Sequence, residues 1–134
     1  MAVVDASVIV RLLQNRASDE ALRERIGQER RIHAPSLIDA QVASAIRGLL
    51  RTSKVSRISE ERAEQMLADF SALPLSRYPM LPYVCDVLTL RENYTVYDAF
   101  YLVLAKSLAM PLLTCDQKFA RAPLRDVTVE TWKK

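Results

Sequence analysis

Residues 1–10 read Met1-Ala2-Val3-Val4-Asp5-Ala6-Ser7-Val8-Ile9-Val10. β-Branched residues flank a single carboxylate, and the surrounding run from Ala2 to Val10 is apolar. The pattern predicts a short buried strand over 2–5 that passes straight into a helix at about 6–15. A buried strand feeding a helix is the first half of a βαβ unit.

The same alternation continues outward. Residues 18–29 are charged, with Ala21, Leu22 and Ile26 at helical spacing, which predicts a solvent-facing helix. Arg31-Ile32-His33-Ala34-Pro35 reads as a second strand ended by proline. Ser36 opens a helix that runs through Gly48-Leu49-Leu50, and Asp39 three residues on approximates a capping box. Ser59 before Glu60-Glu61 marks another helix start, with acids at the positive end of its dipole. That helix ends near Leu73, Pro74 to Arg77 forms a short strand, and Met80 to Arg91 is helical. Thr95 caps a strongly apolar helix to about Ala109. Pro111 to Thr114 is a strand, and Val127-Thr128-Val129 is the last. The expected architecture is α/β, with parallel strands covered by helices on both faces and their C-termini along one edge. Ligands of open α/β sheets bind at that edge.

Composition agrees and excludes much. The chain has 134 residues, half of them hydrophobic and 26% charged, the balance of one ordinary globular domain over residues 1–134. With 2 Gly and 6 Pro it lacks the punctuation of a turn-rich all-β fold. No charge-free run approaches a membrane span, and Met1 to Asp5 has no basic leader region, so a cytoplasmic protein is expected. Two cysteines, Cys85 and Cys115, and a single histidine, His33, cannot build a disulfide framework or a zinc site. The net charge of +3 permits a nucleic-acid partner without demanding one.

Carboxylates must therefore carry any chemistry. Asp5 ends the first strand and Asp116 follows the Leu112-Leu113-Thr114 strand, so both emerge at one sheet edge. Asp98 lies in the first turn of a helix whose next seven residues are apolar or aromatic, and an acid there needs compensation. Each has a structural reading as well: Asp5 as an N-cap, Asp98 as half of a capping box with Thr95, Asp116 as the cap of a short helix over 117–121. Converging carboxylates repel unless a cation neutralises them. A hard divalent ion suits an all-oxygen site, and such sites serve phosphodiester hydrolysis.

Around these acids the sequence resembles the PIN domain, and within it the VapC-type ribonuclease toxins of toxin–antitoxin pairs. Four stretches carry the likeness in order across the chain: Val3-Val4-Asp5-Ala6-Ser7, Ala34-Pro35-Ser36-Leu37-Ile38-Asp39-Ala40-Gln41-Val42, Tyr97-Asp98-Ala99-Phe100-Tyr101 and Leu113-Thr114-Cys115-Asp116. The resemblance implies a three-layer α/β/α fold with a five-stranded parallel sheet. It implies an acidic site for Mg²⁺ or Mn²⁺, endoribonuclease activity on RNA, homodimerisation and a cognate antitoxin. Asp5, Asp98 and Asp116 match the family's acidic, metal-binding positions; Ser7 and Thr114 match the hydroxyls that orient them.

The departure is Gln41, where the family usually has glutamate. Asp39 is two positions away, ~200° around a helix, so it points elsewhere and acts as a cap. Gln41 interrupts the apolar stripe between Ile38 and Ala45, which suits a site residue, yet it lacks a charge and a hard ligand. Weak metal binding and poor cleavage are the expectation.

Arg47, Arg51, Lys54 and Arg57 extend from the helix that bears Gln41, and Lys118, Arg121 and Arg125 follow Asp116. They read either as a track for an RNA backbone, with Arg47, Arg51, Lys54 and Lys118 as the contacts, or as solvated surface. His33 reads as structural. Tyr94, Tyr97 and Tyr101 read as core or dimer packing, and Cys115 as a buried strand residue. A non-catalytic RNA- or protein-binding module is the rival reading. A phosphotransfer domain is disfavoured, because paired acids near the first strand and a matched lysine are missing.

Overall fold

A computed structural model describes residues 1–121 and 124–132. The chain runs β1 (Ala2–Val4), α1 (Ala6–Gln14), α2 (Glu20–Gly27), β2 (Ile32–Pro35), α3 (Leu37–Arg51), α4 (Glu60–Ala72), β3 (Leu75–Tyr78), α5 (Val84–Thr89), α6 (Val96–Leu108), β4 (Leu112–Thr114), α7 (Lys118–Arg121) and β5 (Val129–Thr131). Short 3₁₀ turns at Ala17–Asp19 and Leu81–Tyr83 precede α2 and α5.

The strands form one sheet in the order β3-β2-β1-β4-β5, and every pairing is parallel. β1, β2 and β4 are buried throughout, the signature of strands covered on both faces. α6 lies against β1, β2 and β4 and carries α5 on its outer side, whereas α1 packs on α3, α4 and β4. The architecture is the expected three-layer α/β/α. The buried run Ala99–Ala105 on α6 explains its all-round apolarity: one side meets the sheet and the other meets α5.

The caps read from sequence form. Asp5 accepts from Val8 N–H, Ser59 from Arg62 N–H and Thr95 from Asp98 N–H. Two local expectations need correction. Asp39 is not a cap; both of its oxygens take the Arg77 Nε–H, at 2.8 and 2.9 Å, because β3 lies beside β2 and brings Arg77 alongside. The last strand starts two residues later than expected. Val127 N–H donates to Leu124 C=O at 3.1 Å, so Val127 closes a turn, and pairing begins with Val129 opposite Leu112.

Candidate active site

The sheet order reverses direction at β1: β2 and β3 lie to one side, β4 and β5 to the other. Between the C-terminal ends of β1 and β4 lies a cavity of about 470 Å³ lined by Asp5, Ser7, Gln41, Asp98, Tyr101 and Asp116. Such a switch point is where open parallel sheets place ligands. The structure thus brings Asp5, Asp98 and Asp116 together with Gln41.

Asp5 is the most constrained. It is 7% exposed; Oδ1 accepts from Ser7 Oγ at 2.5 Å and from Val8 N at 3.2 Å, and Oδ2 accepts from the Thr114 hydroxyl. Burial pushes its carboxyl above the usual range, opposed by the Ser7, Thr114 and Val8 hydrogen bonds and assisted by Asp116. The same hydroxyls stitch β4 in place: Ser7 Oγ accepts from Cys115 N at 2.9 Å and Thr114 Oγ1 from Asp116 N at 3.0 Å. The Cys115 thiol is half-buried at the end of β4, and burial raises its pKa.

Asp98 and Asp116 share a partner that sequence reasoning placed on an outer RNA track. Lys118 folds inward, its Nζ 2.6 Å from Asp98 Oδ2 and 3.1 Å from Asp116 Oδ2. Its N–H also donates to Asp116 Oδ1 at 3.0 Å, the helix-capping contact expected of Asp116. Contact with Asp98 foremost raises the Lys118 pKa, against a smaller loss from desolvation. The signal was available: Lys118 opens α7 only two residues after Asp116, where its stem can fold back over the acid.

Gln41, on the inward side of α3, accepts a hydrogen bond on Oε1 from Tyr101 Oη at 2.6 Å. Tyr101 is 2% exposed, and burial pushes its hydroxyl well above the usual phenol range. That hydroxyl therefore stays a donor and fixes the Gln41 carbonyl. Tyr94 stacks on Phe119 in the core, and Tyr97 stands exposed at the cavity rim. His33 is buried in β2 with Nδ1 2.8 Å from Tyr78 Oη, away from the acids.

Asp98 and Asp116 offer hard oxygen donors whose Oδ2 atoms already converge on one cation, the Lys118 ammonium, which suits Mg²⁺ or Mn²⁺. Asp5 is engaged by its hydroxyl donors. Among the described residues no three acidic, histidine or cysteine side chains close on a single point.

A second cavity of about 610 Å³ adjoins this one and shares Ser7, Ala45 and Asp116 with it; Arg11, Arg16 and Gln117 also line it. Arg16 is exposed there, a cation that sequence reasoning passed over because it lies far from Asp116 in the chain. Arg47, Arg51 and Lys54 are exposed beyond Gln41 on or after α3 and do not line either cavity. Arg125 is exposed.

The PIN domain family model matches residues 2–124. The chain belongs to the PIN domain family. Its relatives within that family include Ribonuclease VapC1 of Mycobacterium tuberculosis, 38% identical over 122 residues and covering 90% of each chain. Ribonuclease VapC12 of the same organism is 32% identical over 130 residues, covering 97% of this chain and 98% of that one. Among solved structures, a toxin–antitoxin complex from Klebsiella pneumoniae superposes on the PIN fold with a TM-score of 0.71 at 15% identity, covering all of both chains. All four stretches quoted from the sequence fall within the matched span of this PIN domain. No described helix is long and apolar enough to cross a membrane.

Proposed function

We propose that this PIN domain is a Mg²⁺- or Mn²⁺-dependent endoribonuclease toxin, slowed by Gln41 and held in check by a cognate antitoxin. The observation that carries the reading is the meeting of Asp5, Asp98 and Asp116 in one cavity at the switch point of the sheet. The full-length similarity to VapC ribonucleases supports it.

Asp98 and Asp116 would hold the ion, with Asp5 fixed beside them by Ser7 and Thr114. When bound, such an ion supplies activation of a water nucleophile and neutralises charge on the scissile phosphate. The residues of the chain do the rest. Ser7 and Thr114 keep the Asp5 carboxylate facing the cavity. Tyr101 pins the Gln41 carbonyl, leaving a neutral amide where a further carboxylate would draw the ion in. Arg16, beside the adjoining cavity, Arg47 and Arg51 on α3, and Lys54 just after it supply positive potential for an RNA backbone.

The same reading assigns partner surfaces. Leu81, Val84 and Leu88 are exposed at spacings that align them on the outer side of α5 and its leading turn. An apolar stripe of that kind is a protein-contact surface, and self-pairing there gives the homodimer. An antitoxin would cover the acid edge with a cationic segment, and both proteins would act in the cytoplasm.

The test is RNA cleavage with Mn²⁺ by the wild type, Asp98→Asn and Gln41→Glu. Gln41→Glu is expected to raise kcat about tenfold or more, the low end of what an added charge at a metal site contributes, and Asp98→Asn to abolish cleavage. Equal rates for wild type and Gln41→Glu would remove the claim of impairment. RNA binding without cleavage in both would favour the non-catalytic module, a reading that the uncharged Gln41 supports.

A further inference from the structure

The Lys118 ammonium is the one feature of the site that the metal-dependent reading leaves unexplained. Its Nζ faces Asp98 Oδ2 at 2.6 Å and Asp116 Oδ2 at 3.1 Å. Those oxygens are the ones a divalent ion would need beside Asp5, whose carboxylate already accepts from Ser7, Thr114 and Val8 and keeps about one of its four acceptor sites. A Mg²⁺ ion binds oxygen at ~2.1 Å, and the same two oxygens cannot close on it while an ammonium stands between them.

We propose that Lys118 is a tethered competitor for the cation site: its ammonium holds the place between Asp98 and Asp116, and a divalent ion enters only by displacing it. The inference rests on the metal-dependent reading of the cavity.

The local structure is built for such an exchange. Lys118 sits at the first position of α7 and its side chain is 47% exposed, whereas Asp98 is 18% exposed. The lysine stem can therefore swing to solvent by rotamer change alone, with the acids and the backbone left in place. Without a metal, the ammonium relieves the mutual repulsion of carboxylates that the fold forces together. Gln41 adds to this balance. With no fourth negative charge in the cavity, one ammonium goes further toward neutralising it. The device thus sets the metal affinity from inside the chain.

Mn²⁺ titration of the full chain, followed by the loss of the free-ion electron paramagnetic resonance signal, tests the proposal without an activity readout. A half-exposed ion pair is worth up to about fivefold in an equilibrium, so losing both pairs to Lys118 gives at most about twenty-five-fold. Lys118→Met is expected to bind Mn²⁺ about tenfold more tightly than the wild type and to melt at lower temperature in EDTA. Lys118→Arg, which keeps the positive charge, is expected to stay within about threefold of the wild type. Equal Mn²⁺ affinity in wild type and Lys118→Met, or weaker binding in the variant, overturns the inference and leaves the metal reading standing. Lys118→Arg binding as tightly as Lys118→Met also overturns it. Absence of Mn²⁺ binding in all three chains overturns both readings together.

Discussion

Asp5 holds two positions with one carboxylate. It caps α1 through Val8 N–H and presents an acid to the cavity. The two roles pull in opposite directions energetically. A cap contributes stability, but a carboxylate only 7% exposed with Asp116 nearby carries a desolvation cost that its three donors offset only in part. Asparagine caps a helix as well as aspartate does and brings no charge. Asp5→Asn is therefore expected to raise the melting temperature in EDTA by a few degrees, equivalent to about 1 kcal/mol, while RNA cleavage is lost. A lower melting temperature would show that the hydrogen bonds from Ser7 and Thr114 outweigh burial. The meeting of the acids in one cavity was legible because each interrupts an apolar run or follows a buried strand, places where a charge needs a reason. Lys118 was legible only in part: Asp116 stands two positions before it, but its other partner, Asp98, lies on another element. Only the fold brings α7 over the start of α6.

The helices and strands were legible wherever local chemistry agrees with the tertiary position. Ser59 and Thr95 start α4 and α6 through side-chain caps visible in the sequence. Disagreement arose where a neighbour decides. β5 starts at Val129, because Val127 is drawn into a turn on Leu124 and its buried side chain joins the core. Asp39 left its expected capping place because Arg77 arrives from β3. One helix end also carries strain. Ala109 closes α6 in the left-handed region, at φ 53°, where a Cβ costs roughly 1–2 kcal/mol and glycine costs nothing. Glycine gives part of that back by loosening the unfolded chain. Ala109→Gly is expected to stabilise the fold by about 0.5–1 kcal/mol in urea denaturation, with cleavage unchanged. A loss of stability would place the advantage of alanine in packing at the α6–β4 turn.

Across the whole molecule, a buried ion pair ties distant parts of the chain together. Arg11 on α1 is 7% exposed; it binds Asp19, 2% exposed, through Nε at 3.0 Å and donates from Nη1 to Trp132 C=O at 2.8 Å. Trp132 N–H in turn donates to Thr114 C=O at 3.0 Å, so the pair braces α1 against the end of the sheet near the acids. The Arg11 guanidinium holds the Asp19 carboxyl below the usual carboxylate range. A depressed folded pKa contributes stability that is whole above the unfolded value of about 3.9 and is lost as pH falls through the folded value. Asp19→Asn takes this carboxylate away from the buried Arg11, at a cost of at most about 3–5 kcal/mol near pH 7. The difference from wild type is expected to shrink as both are titrated into acid. A constant difference from pH 7 to pH 2 would show that the pair acts through packing rather than charge.

The sheet order has a consequence for how the chain comes into being. β1 is the central strand, and Asp5 at its end waits for Thr114, which follows 109 positions later. At ~5–20 residues per second, a ribosome takes roughly 5–20 s to cover that distance. Throughout that interval the growing chain carries Asp5 without Asp116, and β1 without its neighbour β4. Asp116 and Lys118, two positions apart, join the acid cluster together. The acid cavity stays incomplete until 116 of the 134 residues have been made.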